Sequence, residues 1–241
     1  MPDLDHDALL RLLDLQEEDT AIKRLEEQRA SLPEATRLAE VRETLAELEN
    51  DLAIATKHDE EAGREQHRLE GEVELVEQEM ARDDQRLLSG SVSNPKELSA
   101  LQAKVAELKR KKSGLEDELI EVMEQKERTA TTLERLRSEH EGTDKEASSL
   151  QETVGGLTED IDTQLERHSS ARGEVATAIP GDLLALYERI RSQKHGVGAA
   201  ALEGGTCQGC HTKLPAVELE KIKHEGGLQR CENCRRIVVL R

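Results

Sequence analysis

Four cysteines carry the clearest chemistry in this chain. Cys207, Cys210, Cys231 and Cys234 form two C-x-x-C pairs separated by twenty residues. In a tight turn, thiols three positions apart converge, so each pair can supply two ligands to one tetrahedral ion. Two pairs complete a closed four-thiolate set. Such a set is structural, because catalytic zinc keeps a position open for water. The spacing therefore predicts one structural Zn2+ per chain, held by Cys207, Cys210, Cys231 and Cys234. In so small a unit the metal supplies much of the folding free energy. The competing reading of the same residues is two disulfides or free thiols. His211, beside Cys210, is read as a bystander, since four thiolates already fill the set.

The second kind of chemistry is positive charge. The formal net charge is −18, yet the stretch from Gly204 to Arg241 has seven Lys/Arg against four Asp/Glu, a net +3. Those bases are Lys213, Lys221, Lys223, Arg230, Arg235, Arg236 and Arg241. A second cluster comprises Lys96, Lys104, Lys109, Arg110, Lys111 and Lys112; residues 89–112 hold six bases and two acids, a net +4. Phosphate binding needs such local positive surface. The plainer reading is a solvated helix face. Arg235 and Arg236, directly after Cys234, are expected to be held outward. The candidate partner-binding residues are Lys213, Lys221, Lys223, Arg230, Arg235 and Arg236 at the metal end, and Lys109, Arg110, Lys111 and Lys112 in the second cluster.

Catalytic patterns do not emerge. The sequence has no G-x-x-x-x-G-K-[ST] loop and no H-E-x-x-H, and no cysteine outside the two pairs. Gly196-x-Gly198 lacks the rest of a dinucleotide fingerprint. The chain reads as a non-enzyme without a small-molecule substrate.

The elements that position these residues follow from composition and periodicity. The 241 residues include no Phe, no Trp and one Tyr, Tyr187, while 36% are charged. Aromatics dominate compact cores, so an ordinary globule is excluded in favour of helices that need only a narrow apolar stripe. That stripe is present. Leu38, Val41, Leu45, Leu48, Leu52, Ala55, Asp59, Ala62, Gln66, Leu69, Val73, Val76, Met80, Asp83 and Leu87 keep a strict 4-3 spacing. This is the heptad signature of a coiled coil. Pro33 interrupts the pattern upstream and predicts a break. Ser89–Asn94 then supplies turn formers, and Pro95 suits the first turn of a new helix capped by Asn94. The repeat resumes at Leu98, Leu101, Val105 and Leu108 and continues to Val175.

Matched arms around one short turn predict a mainly α fold, a long antiparallel coiled-coil hairpin with a small C-terminal zinc-ribbon domain. The alternative is a parallel dimer. At 1.5 Å per residue the hairpin spans roughly 120 Å. The expected boundaries are 1–179 for the hairpin, with its turn near 89–95, and 180–241 for a short helix plus ribbon. Asp59, Lys112, Lys126, His140 and His168 occupy seam positions, where polar residues set register. A turn centred near Val92 pairs Asp59 with Lys126. Beyond Pro180, Leu183–Lys194 reads as a helix, Gly196–Glu203 as a strand, Pro215–His224 as a helix and Ile237–Leu240 as a strand. The acidic start, Met1-Pro-Asp-Leu-Asp-His-Asp, is unlike a signal peptide. No stretch reaches the roughly 18 apolar residues of a membrane span. The expectation is a cytoplasmic protein with no membrane partner.

Several motifs together resemble one family, the bacterial coiled-coil proteins with a C-terminal four-cysteine zinc ribbon. They are Leu15-Gln-Glu-Glu-Asp19, Gly90-Ser-Val-Ser-Asn-Pro-Lys-Glu-Leu98, Leu115-Glu-Asp-Glu-Leu119, Tyr187-Glu-Arg-Ile-Arg191, Cys207-Gln-Gly-Cys-His211 and Cys231-Glu-Asn-Cys-Arg-Arg-Ile237. The resemblance implies a hairpin with the ribbon at its open end and a non-catalytic role in binding protein or nucleic acid. Where the family pattern has Gly after the last cysteine, this chain has Arg235. The resulting expectation is an adaptor whose basic ribbon contacts nucleic acid or the transcription machinery. The alternative is a protein-only scaffold or chaperone-like clamp that uses the coiled-coil faces.

Overall fold

The structure, a computed structural model, describes residues 6–225 and 227–240. Arg241, one of the bases noted above, lies outside the described residues, as does the acidic start through Asp5. Three helices dominate: α1 (His6–Ala30), α2 (Pro33–Leu88) and α3 (Pro95–Thr177). The two prolines punctuate them as expected. Pro33 opens α2, where its missing N–H costs nothing. At α3, Asn94 Oδ1 accepts from the Lys96 amide at 3.0 Å, an N-cap that directs the chain into the helix after Pro95.

By compactness the chain divides into two units: residues 38–149, and residues 1–37 together with 150–241. In the first, α2 and α3 pack antiparallel through their heptad stripes. Leu69 and Val76 of α2 meet Leu108 and Leu115 of α3, with Val73, Met80, Leu119 and Val122 around them. Polar seam residues fix the register. Lys104 Nζ lies 2.6 Å from Glu79 and 2.9 Å from the buried Asp83, and Lys112 Nζ lies 2.6 Å from Glu77. Lys126 does not pair with Asp59; its ammonium donates to Gln66 Oε1 at 3.2 Å. Gln66 lies seven residues beyond Asp59, about two helical turns, so the observed partner is not the expected one. Seam pairs such as Lys112 with Glu77 and Lys104 with Asp83 set this offset, since the connection, residues 89–94, is itself centred close to Val92.

The second unit joins the start of α1 and the end of α3 to α4 (Gly181–Gln193) and a five-stranded sheet. The strands are β1 (Ala199–Glu203), β2 (Thr206–Cys207), β3 (Thr212–Lys213), β4 (Gln229–Arg230) and β5 (Ile237–Leu240), with α5 (Ala216–Glu225) between β3 and β4. Their order is β3-β2-β1-β5-β4, with β1 and β5 parallel and the other pairs antiparallel. Strand alternation gives the sheet two apolar faces. Ala199, Ile237 and Val239 face α1 and α4, where Leu9, Leu12, Leu15, Leu183, Tyr187 and Ile190 are buried with them. Ala200, Leu202 and Val238 face the opposite way and pack with Cys207, Cys231, Leu214 and Ile222. Thus the base of the hairpin belongs to the core of the C-terminal sheet. The expected division at residue 179 follows the helices, whereas compactness follows this shared core.

Candidate metal centre

Each C-x-x-C pair forms a turn of the same design. In the first, the His211 amide donates to Cys207 O at 2.8 Å; in the second, the Arg235 amide donates to Cys231 O at 2.8 Å. The residue after each pair is left-handed, His211 at φ 56° and Arg235 at φ 64°. Glycine adopts that conformation freely and other residues at a cost of roughly 1 kcal/mol or more. Arg235, standing where the family pattern has Gly, therefore carries that strain.

The two knuckles bring all four thiols together. Cys207 Sγ lies 3.9 Å from Cys234 Sγ, and Cys210 Sγ lies 3.9 Å from Cys231 Sγ. All four sulfurs lie within 4.8 Å of one another. Four thiolates about 2.3 Å from a central zinc are separated by about 3.8 Å along each tetrahedral edge. The donor set and its spacing thus fit one tetrahedral ion, and the separations far exceed a sulfur–sulfur bond. His211 is exposed and stands outside the cluster.

The surroundings treat the thiols unequally. Burial pushes Cys207 up to about 12, and raises Cys231 as well. Cys210 is drawn down to about 6, chiefly by its hydrogen bond with Thr212, with help from the Asn233 amide at 3.6 Å. Asn233 also donates to Thr212 Oγ1 at 2.9 Å, tying one knuckle to the other. On the far side, the Glu232 amide donates to buried Glu218 Oε1 of α5 at 3.2 Å. Buried thiolates repel unless a cation sits among them, so metal binding and proton release are linked here.

Around this centre the expected bases divide. Lys213, Lys221, Arg230 and Arg235 are exposed, with no acid in ion-pair range among the described residues. Lys223 is exposed and pairs loosely with Glu220 at 3.6 Å. Arg236 corrects the expectation: it is not held outward. Its guanidinium donates to Val197 O at 3.0 Å, Gly209 O at 2.9 Å and Lys194 O at 3.0 Å. The knuckle turns Arg235 to solvent, and strand alternation then turns Arg236 inward. In the other cluster, Lys109, Arg110 and Lys111 are exposed, but Lys112 is half-buried between Glu77 and Glu116 and Lys104 is paired with two acids. The two clusters belong to different units of the chain.

A second constellation escaped the sequence reading. Asp19, with a side chain 1% exposed, receives Arg172 Nε at 2.7 Å, Arg191 Nη1 at 2.6 Å and the Tyr187 hydroxyl at 2.6 Å. Glu188 binds the same two arginines. Burial and the bond to Asp19 push the Tyr187 phenol up, and the bond to Asp19 raises Arg172. Gln16 Oε1 accepts from the Gly198 amide at 2.7 Å, and its Nε2 donates to Gly196 O at 3.0 Å. A signal was present: Asp19 follows Leu12 and Leu15 at seam spacing, so an acid stands in an apolar slot and requires a cation. Gln16 and Asp19 lie in Leu15–Asp19, and Tyr187, Glu188 and Arg191 in Tyr187–Arg191, two of the motifs that carried the resemblance; Arg172 lies in neither.

Residues 15–195 match the CT398-like coiled coil hairpin domain. The chain belongs to that family. Residues 206–238 match the C4-type zinc ribbon domain. An uncharacterized protein of Mycobacterium tuberculosis is 28% identical over 237 residues, covering 95% of this chain and 93% of its own length. Solved structures share the fold. One from Mycobacterium smegmatis has a TM-score of 0.84 at 24% identity, covering 98% of this chain and 99% of its own. CT398 of Chlamydia trachomatis has a TM-score of 0.73 at 20% identity, covering 98% of each chain. As a member of the CT398-like family, the chain has a coiled-coil and zinc-ribbon architecture typical of non-catalytic proteins. Among the described residues, no helix is long and apolar enough to cross a membrane.

Proposed function

We propose that this CT398-like protein is a non-catalytic adaptor whose zinc-holding ribbon contacts nucleic acid or the transcription machinery. The observation that carries it is four exposed cations, Lys213, Lys221, Arg230 and Arg235, with no acid in ion-pair range among the described residues, on the strands, knuckle and helix around a closed four-thiol cluster. Zinc, when bound, supplies a fixed tetrahedral centre in place of a larger apolar core. Cys207, Cys210, Cys231 and Cys234 hold it, with no ligand position free for chemistry. The cations then stand on a rigid frame, and their binding energy comes from counterions released by phosphate. The test is titration of labelled duplex RNA and duplex DNA at several salt concentrations. Lys213→Glu with Arg235→Glu is compared with Lys109→Glu with Arg110→Glu. The first pair is expected to weaken binding several-fold at low salt and to lower the salt slope by about 2, near 0.9 for each DNA phosphate that is no longer neutralised. Zinc content is expected to stay unchanged. Weakened binding in the second pair alone moves the site to the other cluster. Equal behaviour of both variants and the native chain favours the protein-only scaffold.

A further inference from the structure

We infer that Arg236 couples metal occupancy of the knuckles to the seating of the C-terminal sheet on the hairpin base, so that the joint tightens with zinc and loosens without it. The inference rests on the zinc reading above and goes beyond it.

The geometry is a chain of contacts within one compact unit. Arg236 lies two residues after Cys234, and its own carbonyl accepts from the Cys231 amide at 3.0 Å, so its backbone is part of the second knuckle. Its guanidinium reaches Gly209 O, inside the first knuckle between Cys207 and Cys210. The same planar group donates to Lys194 O and Val197 O in the loop between α4 and β1. One side chain therefore ties both knuckles to that loop. The approach is close by construction, because a Cβ on Gly209 would lie 2.9 Å from Arg236 Cδ and 2.9 Å from Ala200 Cβ.

The loop is in turn what the hairpin grips. Gln16 holds Gly196 O and the Gly198 amide, and Lys23 Nζ donates to His195 O at 2.8 Å. Gly198 lies against the ring of Tyr187, where any Cβ would meet it at 2.8 Å. Tyr187 closes the path on Asp19. Without a cation nothing bridges the thiols of one knuckle to those of the other. The Arg236 clamp then loses one of its fixed ends. Arginine suits this task because its five donors sit in a rigid plane, so displacing one knuckle misaligns the remaining bonds. Coupling between two sites is reciprocal: whatever the metal adds to the joint, the joint adds to metal affinity.

The 241-residue chain carries its own reporter, since Tyr187 is its one tyrosine and it has no tryptophan. A phenol bonded to a carboxylate emits differently from a free one. Zinc is removed with a chelator and then restored, while Tyr187 emission and hydrogen exchange at 196–198 are followed. Metal content is measured at each stage. Expected on removal is a reversible change in emission and exchange at Gly198 faster by about 5-fold or more, the lower end of ordinary couplings. Gln16→Ala, which touches no cysteine, is expected to weaken zinc affinity by a similar factor. Arg236→Gln is expected to exchange quickly at Gly198 even with zinc bound and to respond little to its removal. The coupling is overturned if zinc leaves the native chain with Tyr187 and Gly198 unmoved. It is equally overturned if Gln16→Ala binds zinc as the native chain does, whatever the fate of the Arg236 variant. Protein that never holds metal sinks the zinc reading itself, an outcome the elemental analysis separates from a metal-loaded joint that does not respond.

Discussion

Arg235 shows how much one backbone angle can matter. It stands at φ 64° immediately after Cys234, with its side chain in solvent. A non-glycine residue there is held in a conformation it disfavours by roughly 1 kcal/mol or more. Glycine would remove that strain and return part of the gain through a more flexible unfolded chain. Arg235→Gly is therefore expected to stabilise the zinc-bound knuckle by about 0.5 kcal/mol, read as slower zinc loss to a chelator. The same variant gives up one exposed cation, so it is expected to bind nucleic acid less tightly while holding metal better. Faster zinc release from the glycine variant would show that the arginine has a stabilising contact outweighing its backbone cost.

At the scale of elements, Asp19 is the point where α1, α3 and α4 meet. Its buried carboxylate faces Arg172 of α3, and Arg191 and Tyr187 of α4. Removing one partner of such a cluster leaves the others unpaired, which is the costly change. The two arginine side chains keep a quarter to a third of their surface exposed, so solvent offsets part of that cost. Asp19→Ala is expected to destabilise the unit by about 2–3 kcal/mol, measured as a lower denaturation midpoint. Glu188 would still hold both arginines, so α4 is expected to remain helical. Little or no change in the midpoint would mean that the apolar packing of Leu12, Leu15, Leu183 and Ile190 alone holds these elements together.

For the molecule as a whole, two sources of stability act in different places. The helices α1, α2 and α3 bury stripes of Leu and Val that touch no cysteine. The side of the sheet that packs on Cys207 and Cys231 is a separate cluster in which Leu202, Leu214, Ile222 and Val238 surround the thiols. Zinc removal, or Cys210→Ser, is therefore expected to abolish metal binding and the ordered sheet signal while leaving far-ultraviolet helicity within about a tenth of its starting value. Loss of most of the helix on chelation would mean that the hairpin depends on the metal, contrary to the separation of the two cores. The charge has the same unevenness: a net −18 for the chain, with exposed bases gathered around the thiolates. A strongly acidic molecule binds phosphate only where such a local field exists.

Sequence alone determined the hairpin and the four-cysteine cluster, because both are written locally. A 4-3 stripe, two prolines at helix starts and a C-x-x-C turn each depend on neighbours a few residues away. The strand Ile237–Leu240 and the helix after Pro215 were legible for the same reason. Tertiary structure decided what joins them. The register of Lys126 depends on how the seams of α2 and α3 interlock, through pairs such as Lys112 with Glu77. The inward turn of Arg236 depends on carbonyls from residues 194, 197 and 209, remote from it in sequence. The Asp19 cluster draws on partners more than 150 residues away. Long-range pairings of this kind leave only a faint trace, an acid in an apolar slot. Which cation fills it is settled by the fold that brings α3 and α4 to α1.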